Sequence, residues 1–127
     1  MIYQFDPAER LILIKAEATG PKLMMPLQLI LDTGATTSLI AENVLTLMGY
    51  DMASVSDRVE MTTGSHVTTV SRVVLTRFSA LGKHRFGMRV ISHSLPLSVP
   101  VSGLLGLDFL RDFSLSIDFR NGQITLD

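Results

Sequence analysis

The fold of this chain is decided by one stretch, which reads Leu29-Ile30-Leu31-Asp32-Thr33-Gly34-Ala35-Thr36-Thr37-Ser38-Leu39-Ile40. Because Asp and Gly are poor residues for the middle of a strand, the pattern predicts an apolar strand that ends in a tight polar turn. Gly34 lets the backbone bend where a Cβ would clash. We expect the Asp32 carboxylate, which has apolar sequence on both sides, to be partly desolvated, as catalytic carboxylates often are.

A second segment downstream strengthens this signal. It reads Gly103-Leu104-Leu105-Gly106-Leu107-Asp108-Phe109-Leu110, an apolar run broken by glycine and followed by a short helical pattern. Together the two segments resemble the retropepsin-like aspartic proteases, the single-domain relatives of the pepsins. That family has Asp-Thr/Ser-Gly-Ala/Ser after two apolar residues, and later two apolar residues, Gly, a variable residue and Asn/Asp. The resemblance spans most of the chain.

The resemblance implies a fold and an activity. The fold would be all-β, a closed barrel with two short helices, and the activity would be hydrolysis of peptide bonds with Asp32 as the catalytic residue. Aspartic proteases are the standard example of two carboxylates, about 3 Å apart, that share one proton and activate a water. Since only one Asp-Thr-Gly occurs, the second carboxylate would be Asp32 of another copy, across the two-fold axis of a homodimer.

The resemblance also assigns roles around Asp32. Thr33 would bond across the two-fold axis, the Gly34 backbone would meet substrate, and Ala35 would line the floor. Ser38 and Asp108 would hydrogen-bond to support the loop, next to Gly106. Asp108 could be a rival second carboxylate, but it occupies the family's Asn/Asp position, which does no chemistry. Retroviral members have acidic residues at the positions of Thr36 and Thr37. The substrate contacts of those acidic residues are therefore not carried over to this chain.

Two other interpretations compete with a protease. One is a catalytically weak or inactive dimer with the protease fold that serves as a peptide-binding or assembly module; an intact Asp32-Thr33-Gly34 argues against it. The other is an unrelated barrel in which Asp-Thr-Gly occurs by chance. The termini are a further open question. In retroviral relatives they interleave into an interface sheet, and the segments 3–5 and 124–126 could do so here.

Composition restricts the class of protein. The 127 residues are enough for one domain, 1–127, and the net charge of −1 makes no case for nucleic acid. There is no cysteine, so disulfides and thiol chemistry are excluded. The apolar runs are too short to span a bilayer, and residues 1–6 lack a signal-peptide pattern, so we expect a cytoplasmic protein, or a domain of a longer one. The histidines are not at metal-ligand spacing, and we expect no metal or cofactor.

Hydrophobic periodicity indicates mostly strands, with short helices at 41–48 and 107–113. A long hairpin is predicted over Arg58–Phe78, with a two-residue turn at Gly64-Ser65. By position it corresponds to the family's flap, which would contact substrate through Thr62, Thr63, Gly64 and Ser65; without the resemblance it would be a plain surface hairpin. The next strand, Lys83–Val90, alternates and predicts one face with His84, Phe86, Met88 and Val90, and another with Lys83, Arg85 and Arg89.

Charge is distributed unevenly along the chain. Between Met61 and Leu107 there is no Asp or Glu, but there are five cations and all three histidines: Arg72, Arg77, Lys83, Arg85, Arg89, His66, His84 and His93. One interpretation is a solvated strand face. The other is a positive roof over the cleft that would favour acidic peptides.

Overall fold

The computed structural model describes residues 1–95 and 100–127, and in them every side chain but that of Thr63. The prolines at 96 and 100 predict an irregular loop over 92–102. Pro96 lies outside the described residues. The described chain has ten strands: β1 Tyr3–Gln4, β2 Leu13–Thr19, β3 Met24–Leu31, β4 Leu39–Ile40, β5 Arg58–Thr63, β6 His66–Ala80, β7 Lys83–Ser92, β8 Gly103–Leu105, β9 Leu115–Asp118 and β10 Gln123–Leu126. The predicted all-β class is confirmed.

Six strands close into a barrel in the order β2-β3-β8-β4-β7-β6, because the end of β6 pairs back with β2. The closing register places Ala16 opposite Ala80 and Ala18 opposite Phe78. These closing residues are buried, with Ala18 and Phe78 fully inaccessible to solvent. Closure removes the open sheet edges there, and the small alanines leave room for the Phe78 ring.

The two ends of the chain meet in a separate three-stranded sheet with the order β1-β10-β9. Tyr3 pairs with Ile124 and Gln4 pairs with Gln123 of the same chain. Ile124 is fully buried in the barrel core, which attaches this sheet to the barrel. The termini are therefore paired within one chain in this structure, rather than left extended for exchange.

Two short helices are present among the described residues, as predicted. α1 spans Glu42–Leu47 and is followed, after its C-cap Met48, by Gly49, whose φ of 106° is the left-handed conformation expected after a helix. α2 spans Leu107–Leu110 and is shorter than the predicted 107–113, because the chain leaves the helix at Arg111. A 3₁₀ turn at Met52–Ser54 follows α1. Neither helix of the described chain has the length and apolar content needed to cross a bilayer.

The alternation predicted for 83–90 is wrong in its first half, because the strand reverses its faces at Gly87. This glycine has a φ of 66°, which turns the following side chains to the other side of the ribbon. Met88 and Val90 face the core as expected, but Phe86 is exposed. His84, predicted to share the face of Met88 and Val90, is exposed too.

Gly103 in β8 is needed for the strands to fit. A Cβ at this position would overlap the carbonyl oxygen of Leu39 and lie 3.1 Å from the Cα of Ile40. Both neighbours are backbone atoms of β4, which is hydrogen-bonded to β8 and cannot withdraw.

We therefore expect Gly103→Ala to lower the free energy of unfolding by about 3 kcal/mol, the upper range for overpacking. Gly64→Ala is the control. A Cβ there has open space, and its φ of 57° alone should cost about 1–2 kcal/mol. Urea unfolding of both variants measures the difference, and an equal loss would show that the close approach of β4 and β8 is not what requires glycine.

Candidate active site

The site forms where β3 and β8 end. The two strands are parallel, with Leu31 opposite Leu105, so the residues that follow each of them emerge at the same edge. These residues are Asp32 after β3, and Gly106 with Asp108 after β8. Two segments that are more than seventy positions apart in sequence thus meet at one point of the barrel.

The turn after β3 is held by backbone hydrogen bonds. The Asp32 amide donates to the Leu105 carbonyl at 2.9 Å, and the Gly34 amide donates to Asp32 Oδ1 at 2.9 Å. Asp32 is half-buried, in agreement with the expected partial desolvation, while Thr33 and Gly34 are exposed in the single chain. The carboxylate therefore has one oxygen held by the turn and lies at a surface open to other molecules.

Ser38 connects this turn to α2. Its hydroxyl donates to Asp108 Oδ1 at 2.7 Å and accepts from the Gly106 amide at 2.9 Å, and its amide donates to Asp108 Oδ2 at 2.9 Å. The expected hydrogen bond between Ser38 and Asp108 is thus present. Asp108 Oδ1 also accepts from the Phe109 amide at 2.9 Å. Since both carboxylate oxygens are engaged in this network, Asp108 is poorly placed to act as a second catalytic carboxylate.

Gly106 lets the two segments approach. A Cβ at this residue would lie 2.7 Å from the Ala35 carbonyl oxygen, closer than real side chains come. The same Ala35 carbonyl accepts a hydrogen bond from the Leu107 amide at 2.8 Å. The contact between Ala35 and the start of α2 is therefore made by backbone and excludes any larger residue at position 106.

A cleft of about 730 Å³ opens beside Asp32. Its floor includes Asp32, Gly34 and Ala35, together with the two threonines that follow, Thr36 and Thr37. An apolar wall comes from a small cluster of side chains separate from the main core: Leu39, Val59, Met61, Ile91, Leu95 and Leu104. The cleft thus places a carboxylate next to an apolar surface, which is what a bound peptide with apolar side chains requires.

The predicted hairpin is present and covers part of this cleft. β5 and β6 pair from Arg58–Ser71 to Thr63–His66, so Gly64-Ser65 forms the expected two-residue turn. Gly64 has a φ of 57°. The cleft is lined by β5 residues up to Thr62, whereas the tip residues Gly64 and Ser65 are not among the described residues that line it. Of the four predicted flap contacts, Thr62 therefore lines the cleft, Gly64 and Ser65 do not, and the Thr63 side chain lies outside the described residues.

Of the two interpretations of the basic segment, the positive roof over the cleft does not match the structure. Of the five cations, Arg72 lines the cleft, and it is joined to Asp57 by two hydrogen bonds, of 2.9 Å and 3.1 Å. That bond lowers the pKa of the Asp57 carboxyl. His93 also lines the cleft, and Glu60 of β5 adds a carboxylate. The sequence does not distinguish Arg72 and His93 from the other basic residues of this segment, because the path of β6 and β7 around the barrel is what brings these two to the cleft.

Arg85 is turned away from the cleft and closes the C-terminal end of α2. Its guanidinium donates to the Phe109 carbonyl at 2.8 Å and 3.0 Å, and also to the Arg111 carbonyl. It lies 5.0 Å from the centre of the Phe113 ring and 5.7 Å from that of Phe109. Carbonyls at a helix end have no partner in the helix, so a cation there both pairs them and complements the dipole.

No metal centre is evident. Within residues 1–95 and 100–127, no three side chains of His, Asp or Glu are grouped closely enough to hold an ion.

Removing the Asp108 carboxylate should destabilise the contact between the turn that follows Asp32 and α2. We expect Asp108→Ala to lower the free energy of unfolding by about 1–3 kcal/mol, because the buried Ser38 amide and hydroxyl lose their partner. Glu9→Ala, at an exposed acidic residue, is the control and should change it by less than about 0.5 kcal/mol. Urea unfolding measures both, and equal midpoints would mean that the network contributes nothing to stability.

Removing the Arg85 guanidinium should also destabilise the protein, through α2. We expect Arg85→Gln to cost about 1–3 kcal/mol, the range for hydrogen bonds to charged groups. Arg89→Gln, on the same strand but exposed, should cost much less. Amide hydrogen exchange at Phe109 and Leu110 should accelerate in the first variant only. Unchanged exchange there would contradict a capping role for Arg85.

Comparison with known proteins agrees with this geometry. An aspartyl protease family model matches residues 15–109. The crystal structure of a retropepsin-like aspartic protease from Rickettsia conorii superposes with a TM-score of 0.75 at 17% identity, over 99% of this chain and 88% of that one. The retroviral protease-like domain of Ddi1 from Leishmania major gives a TM-score of 0.59 at 19% identity, over 92% and 88%. A search of characterised protein sequences finds no significant match. The matched residues include the Asp32 turn and Asp108, and the chain therefore belongs to the aspartyl protease family and has the retropepsin-like fold.

Proposed function

We propose that this chain is an aspartic endopeptidase that hydrolyses peptide bonds as a homodimer. The observation that carries the proposal is the position of Asp32. Its carboxylate lies half-buried at the floor of a cleft with an apolar wall, on a turn anchored to β8 and α2. A catalytic group must be held in a fixed geometry, and the hydrogen bonds around Ser38 supply that support.

The proposed chemistry needs two carboxylates with different protonation. An ionised Asp32 takes a proton from water as the oxygen attacks the scissile carbonyl carbon. The protonated Asp32 of a second copy donates to the carbonyl oxygen, giving a tetrahedral diol. Collapse of the diol, with proton transfer to the leaving nitrogen, breaks the bond. Water is the nucleophile, so no covalent intermediate with the enzyme forms.

A second copy is proposed because one chain supplies one such aspartate. Asp108 is committed to Ser38 and the Phe109 amide, and the other described carboxylate at the cleft, Glu60, belongs to the flap. Thr33 and Gly34 are exposed beside Asp32. An isologous dimer that covers this surface would bring the two aspartates together. The substrate would be an extended peptide or protein segment in the cleft, with no cofactor; a cytoplasmic location stays a sequence prediction.

The first test is to replace the carboxylate without changing its shape. Asp32→Asn should reduce peptide hydrolysis by at least 10²-fold, because general acid–base terms are worth about 10²–10⁴ each. The fold should be unaffected, because the Asn side chain keeps an oxygen that can accept the hydrogen bond from the Gly34 amide. Glu60→Gln is the matched control at the other cleft carboxylate, and it should retain hydrolysis within about tenfold. Full activity in Asp32→Asn would rule out the mechanism.

The same variant tests the dimer. Asp32→Asn chains added in excess to wild-type chains should form mixed dimers that face Asn to Asp and lack the shared proton. Hydrolysis at fixed wild-type concentration should fall as the mutant is added, after time for subunit exchange. Activity per chain should also fall on dilution through the dimer dissociation constant. Constant specific activity in both measurements would mean that Asp32 does not work across a two-fold axis.

A binding or assembly module is the remaining alternative. It would bind peptides in the same cleft without turnover. A peptide mimic with a central hydroxyl in place of the scissile bond resembles the tetrahedral state, and a protease should bind it at least 10²-fold more tightly than the matching amide. Equal binding of the two, measured by calorimetry, would favour the module.

A further inference from the structure

The cations that do not face the cleft lie on the outer surface of β6 and β7. Residues directly opposite each other on paired strands share a face, and so do alternate residues along one strand. Arg72 pairs with Ile91 at the cleft, and Val74 pairs with Arg89 one step further along the same face. The opposite face is the core, where Val73, Leu75, Met88 and Val90 are buried.

The reversal at Gly87 extends this outer face instead of ending it. Beyond the glycine, Arg77 pairs with Phe86 and Ser79 pairs with His84, and both Phe86 and His84 point outward. A continuous surface therefore runs along β6 and β7, from the edge of the cleft to the turn that joins these two strands. We call it the outer strip, and it consists of Arg72, Val74, Arg77, His84, Phe86 and Arg89.

The outer strip has a composition unlike that of a solvated face. The Phe86 ring is 74% exposed and Val74 is 52% exposed, both between arginines. The Arg77 guanidinium lies 6.0 Å from the centre of the Phe86 ring and 3.1 Å from His84 Nδ1, so an exposed aromatic, an arginine and a histidine form one group. Aromatic and arginine side chains are the residues most enriched where proteins bind other proteins.

The charges on the outer strip favour an acidic partner. No Asp or Glu occurs in the sequence of either strand. Two carboxylates lie near the ends of the strip: Asp57 at the cleft end, and Glu17, which is opposite Ser79, at the other end. Asp57 is bonded to Arg72, and both Arg72 and the nearby Arg89 lower the pKa of its carboxyl. Within the described residues, Arg72–Asp57 is the one ion pair. Arg77, which contacts His84 and Phe86, and Arg89 thus form no ion pair with another described residue.

We propose that the outer strip is an exosite for an acidic segment of the protein substrate, one that also carries apolar side chains. This rests on the proposed function, since the strip begins at Arg72, which also lines the cleft. A substrate chain leaving the cleft past Arg72 would follow the ribbon to Ser79. At about 3.3 Å per residue, that path accommodates roughly seven residues in extended form. Carboxylates would meet Arg77 and Arg89, and apolar side chains would cover Phe86 and Val74.

The test measures binding separately from cleavage. A fluorescent ten-residue peptide with alternating Glu and Leu is titrated with Asp32→Asn chains, and its anisotropy is compared with that of the same peptide with Gln for Glu. We expect the acidic peptide to bind at least tenfold more tightly at low salt, with the difference shrinking at high salt. The double variant Arg77→Gln, Arg89→Gln should bind the acidic peptide about tenfold more weakly, and so should Phe86→Ser. Arg120→Gln, an exposed cation of the β9–β10 turn, is the control and should bind as the parent does.

The wild-type chain provides the second measurement. A peptide substrate extended by the acidic segment, at either end, should have a KM about tenfold lower than the short substrate, with an unchanged kcat. The double arginine variant should lose that advantage and cleave the short substrate normally. Binding by Asp32→Asn chains without any wild-type hydrolysis would defeat the proposed function and leave the exosite standing.

Three results would overturn the exosite. The first is equal affinity for the acidic peptide and its Gln counterpart. The second is peptide affinity that does not change in the strip variants, provided that their thermal midpoints match that of the parent; the third is equally tight binding of a ten-nucleotide single strand, which would indicate a nucleic-acid site. Weaker self-association of Phe86→Ser in sedimentation, with peptide binding unchanged, would assign the outer strip to a second copy.

Discussion

The structure depends on one buried hydroxyl. Ser38 is completely inaccessible to solvent, and its oxygen both donates to Asp108 and accepts from the Gly106 amide. A buried polar group without partners costs free energy, whereas a fully satisfied network specifies one arrangement. Within the described residues no buried side-chain nitrogen or oxygen lacks a partner. This group holds together two segments that are 68 to 70 positions apart in sequence: the turn that follows Asp32, and the junction of β8 with α2.

The same junction explains why the second helix matters although it has only four residues. Asp108 lies in its first turn and contacts Ser38, while Arg85 of β7 pairs the carbonyls of Phe109 and Arg111 at its other end. α2 is thus held by hydrogen bonds at both ends, to the turn that follows Asp32 and to Arg85 of β7. A short helix is marginal by itself, so its position is set by these contacts.

β6 and β7 are long strands that contribute to the β5–β6 hairpin, to the closure of the barrel and to the outer strip. Near the turn at 64–65 β6 pairs with β5 in the flap, and near its end it closes the barrel against β2. Between these points, Gly87 reverses the faces of β7. The reversal sends Arg85 toward α2 and leaves Phe86 exposed beside Arg77, so one backbone torsion separates a structural cation from the outer strip.

The sequence by itself determined the features that depend on local chemistry and short spacing. They include the all-β class, the position of both helices, the Gly64-Ser65 turn and the strand that delivers Asp32, because apolar periodicity and turn residues act over a few positions. The Ser38–Asp108 bond followed from a family pattern. The closed barrel was expected from the family resemblance, but tertiary structure alone decided that Ala16 and Ala80 close it. It also decided the pairing of both termini within one chain and the distribution of the cations. Those outcomes depend on contacts between residues far apart in sequence and on a left-handed glycine, which alternation along a strand does not encode.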